Sequence, residues 1–276
     1  MVFNTLSENE KEFLLKSVAK GKRSDGRGKY DVREIQIVYD KKVYGSVSIQ
    51  LGKTKVLART SCTVVTPRET RGSEGILKIF SELHPISNVK YELGKSSDEE
   101  IAISRFLEKT IKKSRALDLE SLCIKAGEKV FEIRVDLHFN NHDGNLIDAG
   151  CLATLASLLH FRRPDVTVQG DEFTIHTAQE KALIPLTIHH FPVSVTFAFF
   201  NQGEQFVVDP TNIEEQIKDG TLSISMNLFQ EICAFSKPGG TPLEPEQLIR
   251  CNQLTATISK QFIEKLKESH KEQIGA

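Results

Sequence analysis

The 276-residue sequence predicts an α/β (α+β) fold in which groups of strands are each followed by a helix. Apolar and polar residues alternate from Ile133 to Phe139, which is the pattern of a strand with one buried face. A helical pattern that is apolar on most sides begins at Ile147 and predicts a buried helix. More strands and a long amphipathic helix follow Pro164, so the chain has two strand-and-helix groups.

The N-terminal part predicts a helix followed by a sheet. Ser7 and Glu10 have the spacing of a capping box, which opens a helix that ends near Gly21. Short strands with alternating apolar residues fill residues 30–65. Residues 66–98 have no clear periodicity, so this stretch is predicted to be looser.

The middle of the chain predicts a helix, a strand, a turn and the buried helix. Ser96 or Ser97 caps a helix that continues through 104–117, and Asp143-Gly144 supplies the turn after the central strand. The later strands are predicted at 166–177, 193–200, 205–208, 222–227 and 231–235. The last helix begins near Pro245. We expect two units, residues 1–185 and 186–276.

Composition limits the kinds of partner. The chain has 36 Lys and Arg against 37 Asp and Glu, so any contact with a nucleic acid must come from a local basic patch. No apolar run approaches the ~18 residues of a membrane span, and the N-terminus has no signal-peptide core. Five cysteines without a CxxC pair predict reduced thiols in an intracellular protein, without a disulfide frame or a zinc site.

Several residues have a chemical interpretation that their setting disfavours. His138, His142 and Asp143 have a usable metal-ligand spacing, but a strand and a turn explain them better, so no metal site is predicted. His189 and His190 would point to opposite faces of a strand, so at most one of them serves as an acid or base. The sequence has no phosphate-binding GxxxxGK[ST] loop and no GxSxG motif, and no cofactor is predicted.

The strand, the Asp-Gly turn and the small-residue helix resemble the central part of the RNase PH family of phosphorolytic exoribonucleases. The N-terminal motif at 23–27, the Arg33-Glu34-Ile35 segment and the hairpin at 45–57 extend the resemblance. Further similar segments lie at 74–75, 117–123, 126–130, 160–166, 185–190 and 194–200. Within the family they are most similar to ring subunits of the eukaryotic RNA exosome. The resemblance implies an RNase PH-like fold with duplicated strand-helix halves, of the ribosomal protein S5 domain 2-like type.

The resemblance also implies that the family's catalytic groups are missing. Active members hold the attacking phosphate with a Thr-Arg or Ser-Arg pair, and Asn145 and Leu146 take those places here. The carboxylate of active members aligns with Gly203, whereas the adjacent Glu204 would point the other way. Asp209 is interpreted as bracing its own turn. A non-catalytic subunit is therefore expected. The alternatives are an active phosphate-dependent 3′→5′ exoribonuclease, alone or at a composite subunit interface, and an RNA-binding scaffold outside any ring.

One basic cluster is a candidate RNA contact. It consists of Lys109, Lys112, Lys113 and Arg115. A solvated helix face is the common explanation of such a cluster, but acidic partners four residues away are scarce, with only Glu108 placed to pair with Lys112. The corresponding region of the family borders the RNA channel.

The implied partners are single-stranded RNA, related RNase PH-like exosome subunits in a six-membered ring, and S1/KH-type cap subunits, with no membrane. The resemblance implies a role in 3′→5′ RNA processing and degradation, including rRNA maturation and mRNA turnover. It also implies location in the nucleus, nucleolus and cytoplasm.

Overall fold

The computed structural model describes residues 6–92, 94–169, 172–177 and 179–275. The helices are α1 Glu8–Ala19, α2 Asp98–Glu108, α3 Leu146–His160, α4 Asn212–Ile217 and α5 Pro245–Gly275. The strands are β1 Ile35–Tyr39, β2 Ser46–Leu51, β3 Thr54–Val65, β4 Ile76–Leu83, β5 Cys123–Lys125, β6 Lys129–Asn141, β7 Arg162–Arg163, β8 Val166–Gln169, β9 Glu172–Ile175, β10 Ile184–Pro185, β11 Val193–Phe200, β12 Gln205–Val208, β13 Gly220–Met226 and β14 Ile232–Ser236. A π-helix, Lys109–Lys113, continues α2, and a short 3-10 turn occupies Glu120–Leu122.

The first sheet has the strand order β1-β2-β3-β6-β4, with β5 beside β6. Its pairs are antiparallel except for β4 and β6, which run parallel. The predicted alternation along β6 is confirmed, because Ile133, Val135, Leu137 and Phe139 are fully buried. The polar residues between them face the other side of the sheet, which is open to solvent.

The prediction of a looser stretch at 66–98 was wrong for β4. Leu77, Ile79 and Leu83 point into the core, but Ser81 takes an inward place and Phe80 an outward one. These two residues interrupt the alternation of apolar and polar residues, so the sequence pattern does not predict a strand here. Ser81 is tolerated inside because its hydroxyl donates to the carbonyl of Glu100 at 2.8 Å.

The second sheet is antiparallel, with the order β12-β11-β13-β14. All eight residues of β11 are buried, since α3 and α5 contact the strand and α1 approaches β12. Val18 of α1 packs with Ala198, Phe200 and Val207 to form a small apolar cluster. The β8–β9 hairpin occupies the strand predicted at 166–177, although its connecting residues lie outside the described ranges.

Helix α3 lies between the two sheets and is buried along nearly its whole length. It contacts β2, β3 and β6 of the first sheet and β11 of the second. Its small residues allow this close packing, because a Cβ added to Gly150 would lie 3.3 Å from Phe139 Cζ. The predicted buried helix is therefore confirmed, and it carries the core that both halves share.

The predicted helix starts at the capping boxes are also confirmed. Ser7 Oγ accepts from the Glu10 N–H at 3.3 Å, and Glu10 Oε2 accepts from the Ser7 N–H at 2.8 Å. Ser97, rather than Ser96, caps α2 in the same way. Within the described residues, no helix is both long and apolar enough to cross a membrane.

The turn before α3 is where the two halves meet most closely. Gly144 and Asn145 both have left-handed backbone, with φ of 80° and 54°. A Cβ on Gly144 would lie only 2.5 Å from the carbonyl oxygen of Pro210. Glycine is required here because the backbone is left-handed and because there is no space for a Cβ atom.

We predict that Gly144→Ala destabilises the fold far more than Gly26→Ala. Gly26 has the same left-handed conformation, with φ of 83°, but no atom lies within 4 Å of the added Cβ. Gly26→Ala should therefore cost about 1 kcal/mol of unfolding free energy, from backbone strain alone. Gly144→Ala adds an overpacking cost and should reach about 3 kcal/mol. Urea unfolding followed by circular dichroism measures both, and equal losses would contradict the packing argument.

Candidate functional site

The N-terminal arginine motif is folded into the protein rather than displayed on its surface. Arg23 donates from Nε and Nη2 to the two carboxylate oxygens of Glu214, at 2.9 and 2.5 Å. It also donates to the carbonyl oxygens of Val208 and Asp209, at 2.7 and 2.8 Å. Both side chains of the ion pair are almost fully buried, so Arg23 fixes the N-terminal segment onto the start of α4.

Asp209 is the centre of a second buried ion pair. Its Oδ1 accepts from Arg33 Nη2 at 2.7 Å, and its Oδ2 accepts from Arg33 Nε at 2.9 Å and from Arg27 Nη1 at 3.0 Å. Burial alone would raise the pKa of Asp209, but the hydrogen bonds and charge of Arg33 outweigh it and hold that pKa below its usual range. The carboxylate is therefore ionised and fully engaged.

Arg33 and Asn145 connect this ion pair to the turn before α3. Arg33 donates to the carbonyl oxygens of Asp143 and Gly144, at 2.8 and 3.2 Å. The Asn145 side-chain amide donates to Asp209 at 2.6 Å and to Asp148 at 2.8 Å. Residues far apart in the chain thus meet around one guanidinium group and one amide.

The N-terminus of α3 is occupied by the protein's own carboxylates. The backbone N–H of Asn145 donates to Glu215 Oε1 at 2.8 Å. Asp148, in the first helical turn, accepts from Thr196 N and Oγ1 at 2.8 and 2.9 Å. Burial, assisted by the charge of Asp209, raises the pKa of Asp148 to about 7. Burial also raises the pKa of Glu215. A helix N-terminus normally attracts an anion, and here the side chain of Glu215 accepts from the N–H of the residue before α3.

Comparison with known proteins places this geometry in a family. Residues 31–164 match domain 1 of the 3′ exoribonuclease family, RNase PH, and residues 190–257 match domain 2. The chain belongs to the RNase PH family. It is 47% identical over 249 residues to the exosome complex component RRP45 of Bos taurus, with 90% of this chain and 56% of that protein covered. It therefore spans little more than half the length of this relative.

A second relative and a solved structure extend the match. The chain is 44% identical over 253 residues to the exosome complex component rrp45 of Schizosaccharomyces pombe, covering 92% of this chain and 87% of that protein. It also superposes on a chain of the Archaeoglobus fulgidus exosome with RNA bound to the active site, with a TM-score of 0.81 and 27% identity. That superposition covers 92% of this chain and 96% of the archaeal one. The predicted RNase PH-like α/β fold is confirmed.

Three residues were predicted at positions where active members have catalytic groups. The structure places two of them, Asn145 and Leu146, at the turn before α3, and the third, Gly203, away from it. Asn145 and Leu146 lie at the start of α3, and Leu146 is buried in the core. Gly203 lies in the β11–β12 hairpin, where an added Cβ would be 3.3 Å from the carbonyl oxygen of Pro242. Strand β12 separates it from Asp209. The carboxylates that accept hydrogen bonds from Asn145 are Asp148, Asp209 and Glu215.

Gly203 lies in the β11–β12 hairpin and Asp209 follows β12, so the two are at opposite ends of that strand. The assignment of Gly203 as the position of a missing acid stays a prediction. Arg33, Asp148 and Glu215 were not predicted as site residues. A charged Asp148 inside an otherwise apolar helix was a usable signal, because a buried carboxylate needs partners.

The histidines near the site do not form an acid–base pair. His189 is exposed, whereas His190 Nε2 lies 2.8 Å from the carbonyl oxygen of Ser114. His142 is buried, its Nδ1 accepts from the Gly144 N–H at 3.3 Å, and burial lowers its pKa to about 4. His142 is thus neutral at pH 7 and holds the turn.

The basic cluster lies on the π-helix after α2 and, in the case of Arg115, on the turn that follows it. The helix predicted through 104–117 is interrupted, since α2 ends at Glu108 and the Ala116 N–H reaches back five residues to the carbonyl oxygen of Ile111 at 3.1 Å. The cluster consists of Lys109, Lys112, Lys113 and Arg115. Lys112 is half-buried and the other three are exposed. Within the described ranges none of the four forms an ion pair, and Lys109 Nζ donates only to the carbonyl oxygen of Phe235 at 3.4 Å. Single π-helical turns often mark functional positions.

We predict that Asp209→Asn is strongly destabilising and that Asp143→Asn is not. Loss of the Asp209 charge leaves Arg33 buried without its partner, which should cost about 3 kcal/mol or more of unfolding free energy. Asp143 lies 3.8 Å from the same guanidinium but is 31% exposed, so its substitution should cost less than ~1 kcal/mol.

The pH dependence provides a further readout of the same variants. Folding lowers the pKa of Asp209. Its contribution to the free energy of unfolding is therefore complete above the pKa of the unfolded state and is lost as the pH falls through the pKa of the folded state. Asp209→Asn should therefore flatten the acid limb of stability in urea unfolding measured between neutral and acid pH. Equal stability of the two variants would show that the buried pair is dispensable.

Proposed function

We propose that this chain is a non-catalytic structural and RNA-guiding subunit of an RNA exosome ring, supporting 3′→5′ RNA processing and degradation such as rRNA maturation and mRNA turnover. The relatives named as exosome complex components support the assembly. The observation that carries the non-catalytic role is the α3 N-terminus occupied by the chain's own carboxylates. The finer proposal is that the chain corresponds to exosome component nine, the polymyositis–scleroderma autoantigen.

Phosphorolysis requires a phosphate held beside the scissile bond, with its charge neutralised by free donors. The arginines at this site are not free, because Arg23 and Arg33 direct their N–H groups at carboxylates and carbonyl oxygens. Glu215 accepts from the N–H of Asn145, the residue before α3, and the Leu146 side chain has no hydrogen-bond donor. An incoming phosphate would meet carboxylates in place of donors.

We predict that the chain does not shorten single-stranded RNA when supplied with phosphate and magnesium. No nucleoside diphosphates should appear, because the anion site is filled. Glu215→Gln is the matched variant. It removes the negative charge of the Glu215 side chain but keeps the shape of that side chain and its ability to accept from the Asn145 N–H. The alternative, an active exoribonuclease, would be supported by phosphate-dependent release of nucleoside diphosphates. That activity would have to co-elute with the chain on a sizing column and differ between the unaltered chain and Glu215→Gln. An activity that is the same in these two proteins and elutes apart from the chain belongs to a contaminant.

Guidance of RNA is proposed for the basic cluster on the π-helix. Its four side chains are without carboxylate partners in the described structure, so their charge is available to phosphates. Binding of this kind is indifferent to sequence and weakens with salt, because it releases counterions. The chain has a net charge of −1, so a local patch is the place for such contact.

Association with other subunits is proposed from the surface. Large apolar side chains are exposed on several elements, among them Val38, Phe80, Ile86, Val89, Phe229 and Ile232. β1 and β14 are sheet edges. The proposed partners are RNase PH-like exosome subunits in a six-membered ring, S1/KH cap subunits and single-stranded RNA. All five thiols are free, which supports the proposed location in the nucleus, nucleolus and cytoplasm.

We predict that reversing the charges of Lys112, Lys113 and Arg115 to Glu weakens RNA protection by the assembled ring without preventing assembly. Each lost phosphate contact should lower the slope of log affinity against log salt by about 0.7. The matched control reverses three exposed lysines of α5, which are Lys260, Lys265 and Lys271. This control variant changes the net charge of the chain by the same amount as the cluster variant.

Ring formation is measured first, by sizing and native mass, and RNA affinity is then measured across a salt series. Weakened affinity in the cluster variant alone supports an RNA path. Equal effects in both variants indicate a general charge effect, and failure of the ring in the cluster variant alone indicates an assembly interface.

A further inference from the structure

Three potential metal ligands meet on the solvent side of the first sheet. Glu82 and His84 are two residues apart at the end of β4, so both side chains face the same way. His138, on β6, is the register partner of Glu82 in the parallel β4–β6 pair. The fold therefore brings together residues that are more than fifty positions apart in the chain.

The distances among these three side chains have the dimensions of a metal site. His84 Nε2 and His138 Nδ1 are 3.3 Å apart. Glu82 Oε2 lies 3.4 Å from His84 Nε2 and 3.2 Å from His138 Nδ1. Ligands at 2.0–2.1 Å from a tetrahedral zinc ion are about 3.3–3.4 Å from one another. The three atoms thus match one face of such a tetrahedron.

We propose that Glu82, His84 and His138 bind one zinc-class divalent transition-metal ion, with the fourth position open to water. Two imidazoles and one carboxylate suit zinc and its neighbours, whereas magnesium and calcium prefer oxygen ligands alone. Among the described residues this is the one group of three or more metal-ligating side chains with converging ligand atoms. The exposed fractions of the three side chains are 49%, 36% and 32%, so an ion can reach them from solvent.

The geometry of the rings explains how the site is held before an ion binds. The imidazole planes are 11° apart with centroids separated by 5.5 Å, so the rings meet edge to edge with their nitrogens facing. One N–H···N hydrogen bond fits this arrangement, and an entering ion displaces that proton. The site is therefore largely preorganised, which favours binding.

This site differs from the metal set considered in the sequence, where His138 was grouped with His142 and Asp143. His142 is buried and accepts from the Gly144 backbone, so it is not available to His138. Spacing along one strand suggested the wrong neighbours, because the true neighbours belong to β4, which the sequence pattern did not reveal.

The test is zinc binding to the full chain without an affinity tag. Calorimetric titration should give one ion per chain, and cobalt should give the intense visible bands of a tetrahedral complex. His84→Ala and His138→Ala should each weaken zinc binding by more than about tenfold. His189→Ala removes an exposed histidine outside the site and should leave binding unchanged. Excess magnesium should not compete.

Zinc affinity that is equal in the unaltered chain, His84→Ala and His138→Ala would overturn the site, as would the absence of saturable binding to the unaltered chain. Circular dichroism confirms that each variant folds. If either alanine variant does not fold, Glu82→Gln, at the most exposed of the three positions, gives the same comparison. RNA protection is not part of this test, so its outcome is independent of the proposed exosome role.

Discussion

The ion pair between Arg33 and Asp209 is the constraint on which the arrangement of the two halves depends. Asp209 directly follows β12, has a left-handed backbone and has almost no exposed surface, and Arg33 comes from the N-terminal segment. The same guanidinium donates to the turn before α3. Three distant segments are therefore held by one pair of charges, and each charge is tolerable inside the protein only because the other is present. Gly144 lies close to Pro210 at the same place, so the turn and the residues after β12 are in direct contact beside the ion pair.

This means of joining the halves also determines what the α3 N-terminus can bind. A helix start next to two buried arginines would ordinarily be a strong anion site. Here the donors that a phosphate would use already bind Asp209, Glu214 and Glu215. The internal carboxylates are covalently part of the chain, so a free phosphate would have to displace groups that are always present. This arrangement supports the proposed non-catalytic role. The basic cluster, which forms no ion pair among the described residues, is the candidate surface for a polyanion.

The sequence predicted what depends on neighbours in the chain. The alternation in β6, the Asp-Gly turn, the buried α3 and the bounds of β11 and β12 are local patterns, and the structure has them. Strand β4 was missed because Phe80 and Ser81 reverse the pattern of the strand. The assignment of Gly203 as the position of a missing acid stays a prediction, because spacing along a hairpin does not show which of its ends faces the turn. The Arg33–Asp209 pair joins residues 176 positions apart, and no local pattern reports such a distance. The Glu82, His84 and His138 group was hidden for the same reason.

The carboxylates around Asn145 have different protonation behaviour, which bears on the proposal that the site does not bind a further anion. Asp209 is ionised because Arg33 lowers its pKa, whereas burial raises the pKa of Asp148 to about 7 and also raises that of Glu215. Asp209 and Asp148 therefore change the stability of the fold in opposite directions as the pH rises. Asp209 contributes stability above its unfolded pKa, whereas the contribution of Asp148 is complete below its unfolded pKa and declines as pH rises toward about 7. Arg33 acts most strongly on Asp209 and less on Asp143 and Glu215, and burial is the main cause of the raised pKa values of Asp148 and Glu215. An added phosphate dianion would meet the same desolvation beside an arginine that is already bound to Asp209. The electrostatics that hold the two halves together therefore support the proposal that this site does not bind phosphate.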